Sequence, residues 1–463
     1  MPAVELSMTE RATMAISDAN PRGRAVDIDE NAVIRKVAIR LIPFLFFLYV
    51  IAYLDRVNVG FAKLQMGEAL GFSDAVYGAG AGIFFFGYFL FEVPSNLLLQ
   101  RFGARHWIMR IMLTWGIVAM CMMFVNSITT FYVLRFLLGI AEAGFFPGIL
   151  LYLTFWFTAK ERAKVVAWFM TANAVSFIFG GPISGWLMTA KIIPGLAGWQ
   201  QMFLLEGLPA FLMGFVVLWY LPNGPRDAKW LTEPEKDYIE ARVAEEAGAR
   251  SHDSKFSKSD NAPTLFQTFS QPAVIILCLC FFCFVSGMYG FSLWIPQIVK
   301  SMGDMTPVQT GFLSAIPFLI SGTLMVVNGY HSDATGERPL HIFIPALFGA
   351  MGLVAYAWLD GQEVWQLVAL SVAASGMWAM LGPFWAMVPA VLRGGGSSAV
   401  AGGLALINSV GNLGGFLGPF AVGKVKDLTG SFAGGVYTLA TLVVIGAFLA
   451  LIAGRMMRRS EIA

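Results

Sequence analysis

Residues 41–62 read LIPFLFFLYVIAYLDRVNVGFA, the greater part of an apolar run near 37–62, and the only charged members of the stretch, Asp55 and Arg56, stand side by side near its end. About 20 apolar residues in a helix rising 1.5 Å each cross the ~30 Å hydrocarbon core of a bilayer. A helix this apolar on every side belongs inside a membrane or a large core. Eleven more runs of the kind follow, near 76–99, 106–126, 130–152, 163–188, 203–221, 271–299, 308–329, 341–358, 364–391, 399–424 and 432–456. Of the 463 residues, 57% are hydrophobic and 13% are charged. Soluble domains carry about 25% charge, so this chain has too little polar surface to coat twelve such helices in water. The 49 glycines and 40 phenylalanines fit the same setting, because small residues let membrane helices approach and aromatics serve lipid-facing and interfacial positions.

The net charge of +2 gives no reason to expect nucleic acid as a partner. The placement of the basic residues is more telling. With the N-terminus inside, 21 Lys and Arg fall on inner segments against five on outer ones, Lys63, Lys191, Lys300, Lys424 and Lys426. That asymmetry predicts cytoplasmic termini and a multi-pass protein of the cell inner membrane. The polar segment 1–36 has no apolar core of a signal peptide and reads as a disordered cytoplasmic tail. Cys121, Cys278, Cys280 and Cys283 all lie in apolar runs and read as small buried thiols.

The runs divide six and six, giving an N-terminal bundle over 37–221, a polar linker over 222–268, a C-terminal bundle over 269–456 and a cytoplasmic tail over 457–463. In the linker, Thr232-Glu233-Pro234-Glu235 reads as a capping box opening a short amphipathic helix. The halves echo one another. Gly103 and Gly336 are 233 residues apart, Pro147 and Pro383 are 236 apart, and Gly181-Pro182 and Gly418-Pro419 are 237 apart. The expected fold is an all-α membrane protein of twelve transmembrane helices in two six-helix pseudo-repeats, an arrangement suited to alternating access.

Charges inside the membrane are expensive and normally have a partner or a task. Arg56 and Arg135 are basic residues within the apolar runs; Asp55, Glu92 and Glu142 are acidic, with Glu206 near a predicted helix end. Arg56 lies ~22 Å from the inner side and Arg135 ~6 Å from the outer side, nearly the same level of a ~30 Å core. Asp55 can then meet Arg135, and Glu142 lies two turns beyond Arg135 on the same face. A packing salt bridge would account for such a set. So would chemistry: arginine binds carboxylates through a two-pronged fork, and carboxyls in low dielectric take up protons near neutral pH. Protonation of an acid frees its arginine for an anion, which couples the two ligands. Importing one negative charge against −100 mV costs ~2.3 kcal/mol, which one proton cancels and a second overcomes. In the second half Tyr289, Ser292, Trp294, Gln297, Trp378, Trp385, Asn408 and Asn412 could contact the uncharged part of a ligand.

Three stretches carry a family resemblance: Tyr53 to Met66 (YLDRVNVGFAKLQM), Phe91 to Arg105 beginning FEVPSNL, and Arg135 to Gly144 (RFLLGIAEAG). Over roughly 36–456 the chain resembles the major facilitator superfamily, and within it the anion:cation symporter family of tartrate, phthalate, galactonate and related organic-acid transporters. The resemblance implies the major facilitator fold, no enzymatic activity and no cofactor or metal. It implies a monomer whose partners are a small organic anion, protons and the bilayer. It makes Arg56 the substrate-carboxylate ligand, Asp55 and Glu142 the proton-coupling acids, and Arg135 the basic partner of the aspartate. Tyr53, Tyr88, Asn173, Trp385 and Asn408 would line the cavity. Arg101, Gly103 and Arg105, with Asp333, Gly336 and Arg338 in the second copy, would form the conformational-switch loops. Asn96 and Gln100 stand where the superfamily loop usually has Gly and Asp. Gly382 and Phe384 flank Pro383 where sugar-acid members tend to carry hydroxyls, which favours a small or aromatic carboxylate. An anion exchanger or uniporter of the same fold is the alternative. A membrane enzyme or sensor would need a nucleophile–base pair, a metal cluster or a signalling domain, and none of His106, His252, His331 and His341 pairs at ligand spacing.

Overall fold

A computed structural model describes residues 29–256, 271–392 and 396–462. Among them twelve helices are long and apolar enough to cross a membrane. The first six are α1 (Glu30–Leu70), α2 (Asp74–Phe102), α3 (Ala104–Cys121), α4 (Ile128–Glu142 and Phe145–Leu153), α5 (Ala159–Thr189) and α6 (Gly198–Tyr220). The second six are α7 (Pro272–Lys300), α8 (Pro307–Thr335), α9 (Pro339–Trp358), α10 (Glu363–Ala379 and Leu381–Leu392), α11 (Gly396–Asn412 and Gly414–Thr429) and α12 (Phe432–Ile462). Twelve such helices bring the described ends, at Asp29 and Ile462, to one end of the molecule.

Some expected limits move. α1 begins at Glu30, where Asp29 caps it by accepting from the Ala32 amide, so residues 30–36 are helix and not tail; residues 1–28 lie outside those described. At the other end the helix continues to Ile462, through most of the expected tail. The linker helix is long, Glu233–Phe256, and Glu235 accepts from the Thr232 amide at 2.8 Å as the capping reading requires. It is tied down by Lys36–Glu235 at 2.8 Å and Arg242–Glu161 at 2.7 Å, which join it to the starts of α1 and α5.

Packing repeats between the halves. In the first, α1 lies on α5 and α6, α2 on α4, and α3 on α6; in the second, α7 lies on α11 and α12, α8 on α10, and α9 on α12. The halves meet through α2 with α11, α5 with α8, and α1 with α7. The repeated prolines break corresponding helices. Proline has no N–H and collides with the carbonyl four residues back. Pro147 therefore disrupts α4 at Ala143 and Gly144, where Gly144 adopts φ +85°, and Pro383 disrupts α10 at Met380. The carbonyl of Ala379 is recovered by Asn328 of α8, whose amide donates to it at 2.8 Å.

The end opposite the termini is latched. Asp427 of α11 accepts from the amides of Asp74 and Ala75, both at 2.9 Å, and so caps α2 from the other half. Asp74 pairs with Lys63 and Lys426, each at 3.1 Å. Gln297 donates to the Gly60 carbonyl at 2.6 Å, and Tyr77 to that of Leu293 at 2.8 Å. α5 and α8 touch backbone to backbone here: a Cβ on Gly311 would lie 2.6 Å from the Gly181 carbonyl carbon. Gly311→Leu is expected to part this end. A cysteine at Ser314, now 3% exposed, should react with a membrane-impermeant maleimide in that variant and not in its parent, both lacking the native cysteines. Equal labelling would show that the contact does not hold the end shut.

Candidate functional site

The site lies where α1, α2 and α4 converge and face α7. Arg56 donates from Nε to Glu142 Oε1 at 2.8 Å, and its Nη2 forms an ion pair with the same oxygen. Glu142 is 1% exposed and occupies the last residue of the first α4 segment, just before the break. Across the gap, Arg56 Nη1 points to the Tyr289 hydroxyl of α7 at 3.5 Å. Its guanidinium lies over the rings of Tyr53, Tyr88 and Phe84, at 4.9, 5.3 and 5.5 Å from their centroids. The arginine is thus held by a carboxylate and a cage of aromatics, with one prong toward the second half.

Arg135 also lies against Phe84, 5.1 Å from the ring centroid, so both guanidiniums share one aromatic. Its partners are different from those expected. Arg135 donates to the carbonyls of Gly80 and Ala81, at 3.3 and 3.0 Å, and forms no ion pair with Asp55 among the described residues. Neighbouring residues on a helix diverge by about 100°. When Arg56 faces Glu142, Asp55 must turn away. Asp55 takes a hydrogen bond from Asn58 at 3.0 Å and is 2% exposed.

The remaining candidates spread around this centre. Tyr53 and Tyr88 are buried and touch Arg56. Asn173 on α5 is half-buried. Trp385 packs edge-on to Phe281 at 4.8 Å. Asn408 donates to Glu92 at 3.1 Å, a bond between α11 and α2. Trp294 and Gln297 serve the latched end and not the centre: Trp294 donates to the Pro419 carbonyl at 2.9 Å. Trp378 belongs to an aromatic cluster with Phe177 and Phe318.

The two loops expected to act as switches each place a glycine at positive φ, in different conformations. Gly103 has φ +83° and Gly336 φ +67°, a region costly to other residues. Arg105 donates from Nε to the Leu221 carbonyl at 2.6 Å; Arg338 bonds Asp333 at 2.6 Å and Ser332 at 2.9 Å. Just beyond, His331 Nδ1 and His341 Nε2 are 2.6 Å apart, so two histidines do come together where none was expected to pair; the described residues form no cluster of metal-binding type. All four cysteines are free.

Residues 45–419 match the family model of the Major Facilitator Superfamily. The chain belongs to that superfamily. It is a transporter and not an enzyme. It is 48% identical to a protein of Agrobacterium vitis named "Putative tartrate transporter", across 92% of this chain and 95% of that one. It is 39% identical to a quinolone resistance transporter of Acinetobacter baumannii, across 93% and 97%. The crystal structure of a D-xylose-proton symporter superposes with TM-score 0.68 at 16% identity, covering 90% of this chain and 97% of that one, a likeness of fold.

Removing one partner of a buried ion pair costs roughly 3–5 kcal/mol, whereas replacing both by apolar groups is often neutral. Glu142→Ala should therefore lower the thermal stability of the purified protein by about that amount, and Arg56→Leu/Glu142→Leu should recover most of it. Unfolding monitored by tryptophan fluorescence checks this; a double variant as unstable as the single one contradicts the pairing.

Proposed function

We propose that the protein imports an organic carboxylate together with protons across the inner membrane by alternating access, with both termini in the cytoplasm. The observation that carries this reading is the Arg56 guanidinium, paired with Glu142 in the first half and reaching Tyr289 in the second. A proton on Glu142 weakens that pair and frees the arginine's fork for a substrate carboxylate. Arg56 is then the anion ligand, and Tyr53, Tyr88 and Tyr289 surround it with hydroxyls and ring faces. Asn173, Trp385 and Asn408 contribute the outer walls. Asp55 and Glu142 carry protons, and Arg135 holds the local field positive. The two glycine loops at Gly103 and Gly336 act at the cytoplasmic face as the halves rock.

The tartrate name of the Agrobacterium vitis relative supports a small hydroxy-dicarboxylate as the first substrate to test. Charge supports symport: an anion entering alone moves against the membrane potential, at ~2.3 kcal/mol per charge per 100 mV. A monomer suffices for this mechanism, because both halves of the site come from one chain.

Reconstituted vesicles with an imposed inward proton gradient should accumulate L-tartrate. Arg56→Ala should lose about two orders of magnitude in affinity, from a charged two-pronged bond of roughly 2–3 kcal/mol. Glu142→Gln should still exchange labelled for unlabelled tartrate while failing to concentrate it. Uptake by exchange alone, unaffected by the gradient in the wild type, would instead establish an exchanger or uniporter.

A further inference from the structure

We propose that Glu206 is a further proton carrier, sharing one proton with Asp55 beside Asn58 in a buried acid pair behind α1. The inference deepens the symport reading above and rests on it for the use of the proton, though the proton site can be tested without any substrate.

The sequence suggested that Glu206 lies near a helix end. It lies instead in the third turn of α6, and is 5% exposed. Its Oε1 accepts from the Ser184 hydroxyl of α5 at 2.8 Å. Asp55 and Asn58 stand three residues apart on the face of α1 turned toward it, each 2% exposed. The Asn58 amide donates to Asp55 at 3.0 Å and also faces Glu206. Among the described residues Asp55 Oδ2, Glu206 Oε2 and Asn58 Oδ1 all lack a hydrogen-bond partner. The Trp115 indole N–H faces Asp55 and the Asn58 amide faces Glu206, but two neighbouring buried carboxylates have no O–H between them unless one is protonated, and that O–H would be a donor toward the other. A proton from water, added to one carboxylate, turns it into that donor and leaves its partner the acceptor.

Charge points the same way. From α4 the ionisable neighbours are Glu142 and Arg135; from α1 itself there is Arg56, committed to Glu142; α3 and α5 contribute Trp115 and Ser184, which do not titrate here. Two guanidiniums therefore face three carboxyls, Asp55, Glu142 and Glu206, and one bound proton makes the group neutral. Glu92, a fourth buried acid, lies toward the termini and is held by Asn408. An uncompensated charge so far from water is costly, which favours the singly protonated pair. Its remaining negative charge lies near Arg135, whose hydrogen bonds go to backbone carbonyls. Loading or emptying the pair changes the field on the α4 residues that hold Arg56, and so links a proton behind α1 to the anion site in front of it.

Infrared difference spectra of the reconstituted full-length protein, recorded while pH is stepped, should show the C=O stretch of a buried carboxylic acid that shifts in D2O. Glu206→Gln should abolish that band, and Asp55→Asn should retain it while moving the pH at which it titrates. A band unchanged in Glu206→Gln overturns the proposal. Should that variant fail to fold, Ser184→Ala, which removes the hydroxyl donating to Glu206, must move the band's frequency; an unmoved band overturns it equally. In vesicles, Glu206→Gln should reduce proton-driven L-tartrate accumulation at least tenfold more than it reduces tartrate exchange, and an equal loss of both contradicts a proton-carrying role. If the wild type carries no tartrate, the substrate reading fails while the infrared result still decides the proton site.

Discussion

The bond between Arg56 and Glu142 organises the first half of the molecule. A guanidinium and a carboxylate cannot sit alone at this depth, so α1 and α4 must present them to each other at one level. That requirement sets the rotation of α1, which in turn sends Asp55 to the rear, toward α5 and α6. It also gives Phe84 its position, with its ring against both Arg56 and Arg135. The α4 break just after Glu142 leaves the acid at a helix end, where the backbone is free to adjust when the ion pair is made or lost. The corresponding break in α10 follows the same proline rule but carries no charge, so only one half of the repeat was put to electrostatic use.

Much of this was legible in the sequence. The apolar runs gave twelve helices, and the spacing of Pro147 from Pro383 and Gly103 from Gly336 gave a repeat that reappears as matched helix breaks and matched positive-φ turns. Rise per residue was enough to place Arg56 and Arg135 near one another, and both lie against Phe84. What a helical rise cannot supply is direction around the axis. Asp55 was therefore expected to meet Arg135, although its helix had only one face to offer α4 and Arg56 took it.

Glu206 lies deeper in its helix than the apolar run alone implies. The hydropathy of α6 rises near 203, but the helix begins at Gly198, where Gln200 accepts from the Ala197 amide and so closes the first turn. Five residues of error placed a deeply buried acid at an apparent boundary. The His331–His341 contact was hidden by another kind of distance: the two lie on α8 and α9, and only the turn at Gly336 brings them together.

The latch opposite the termini is made of modest parts. It consists of two amides capped by Asp427, a pair of lysines on Asp74, and side-chain bonds to carbonyls. Partly exposed ion pairs contribute about 0–1 kcal/mol apiece, and every group in the latch can be rehydrated on release. A seal of this sort keeps two shapes of the protein close in free energy. Such a seal is one that does not trap the protein in the shape described here. Weakness at this end is thus what permits turnover, much as a door that must swing often is given a catch and not a bolt.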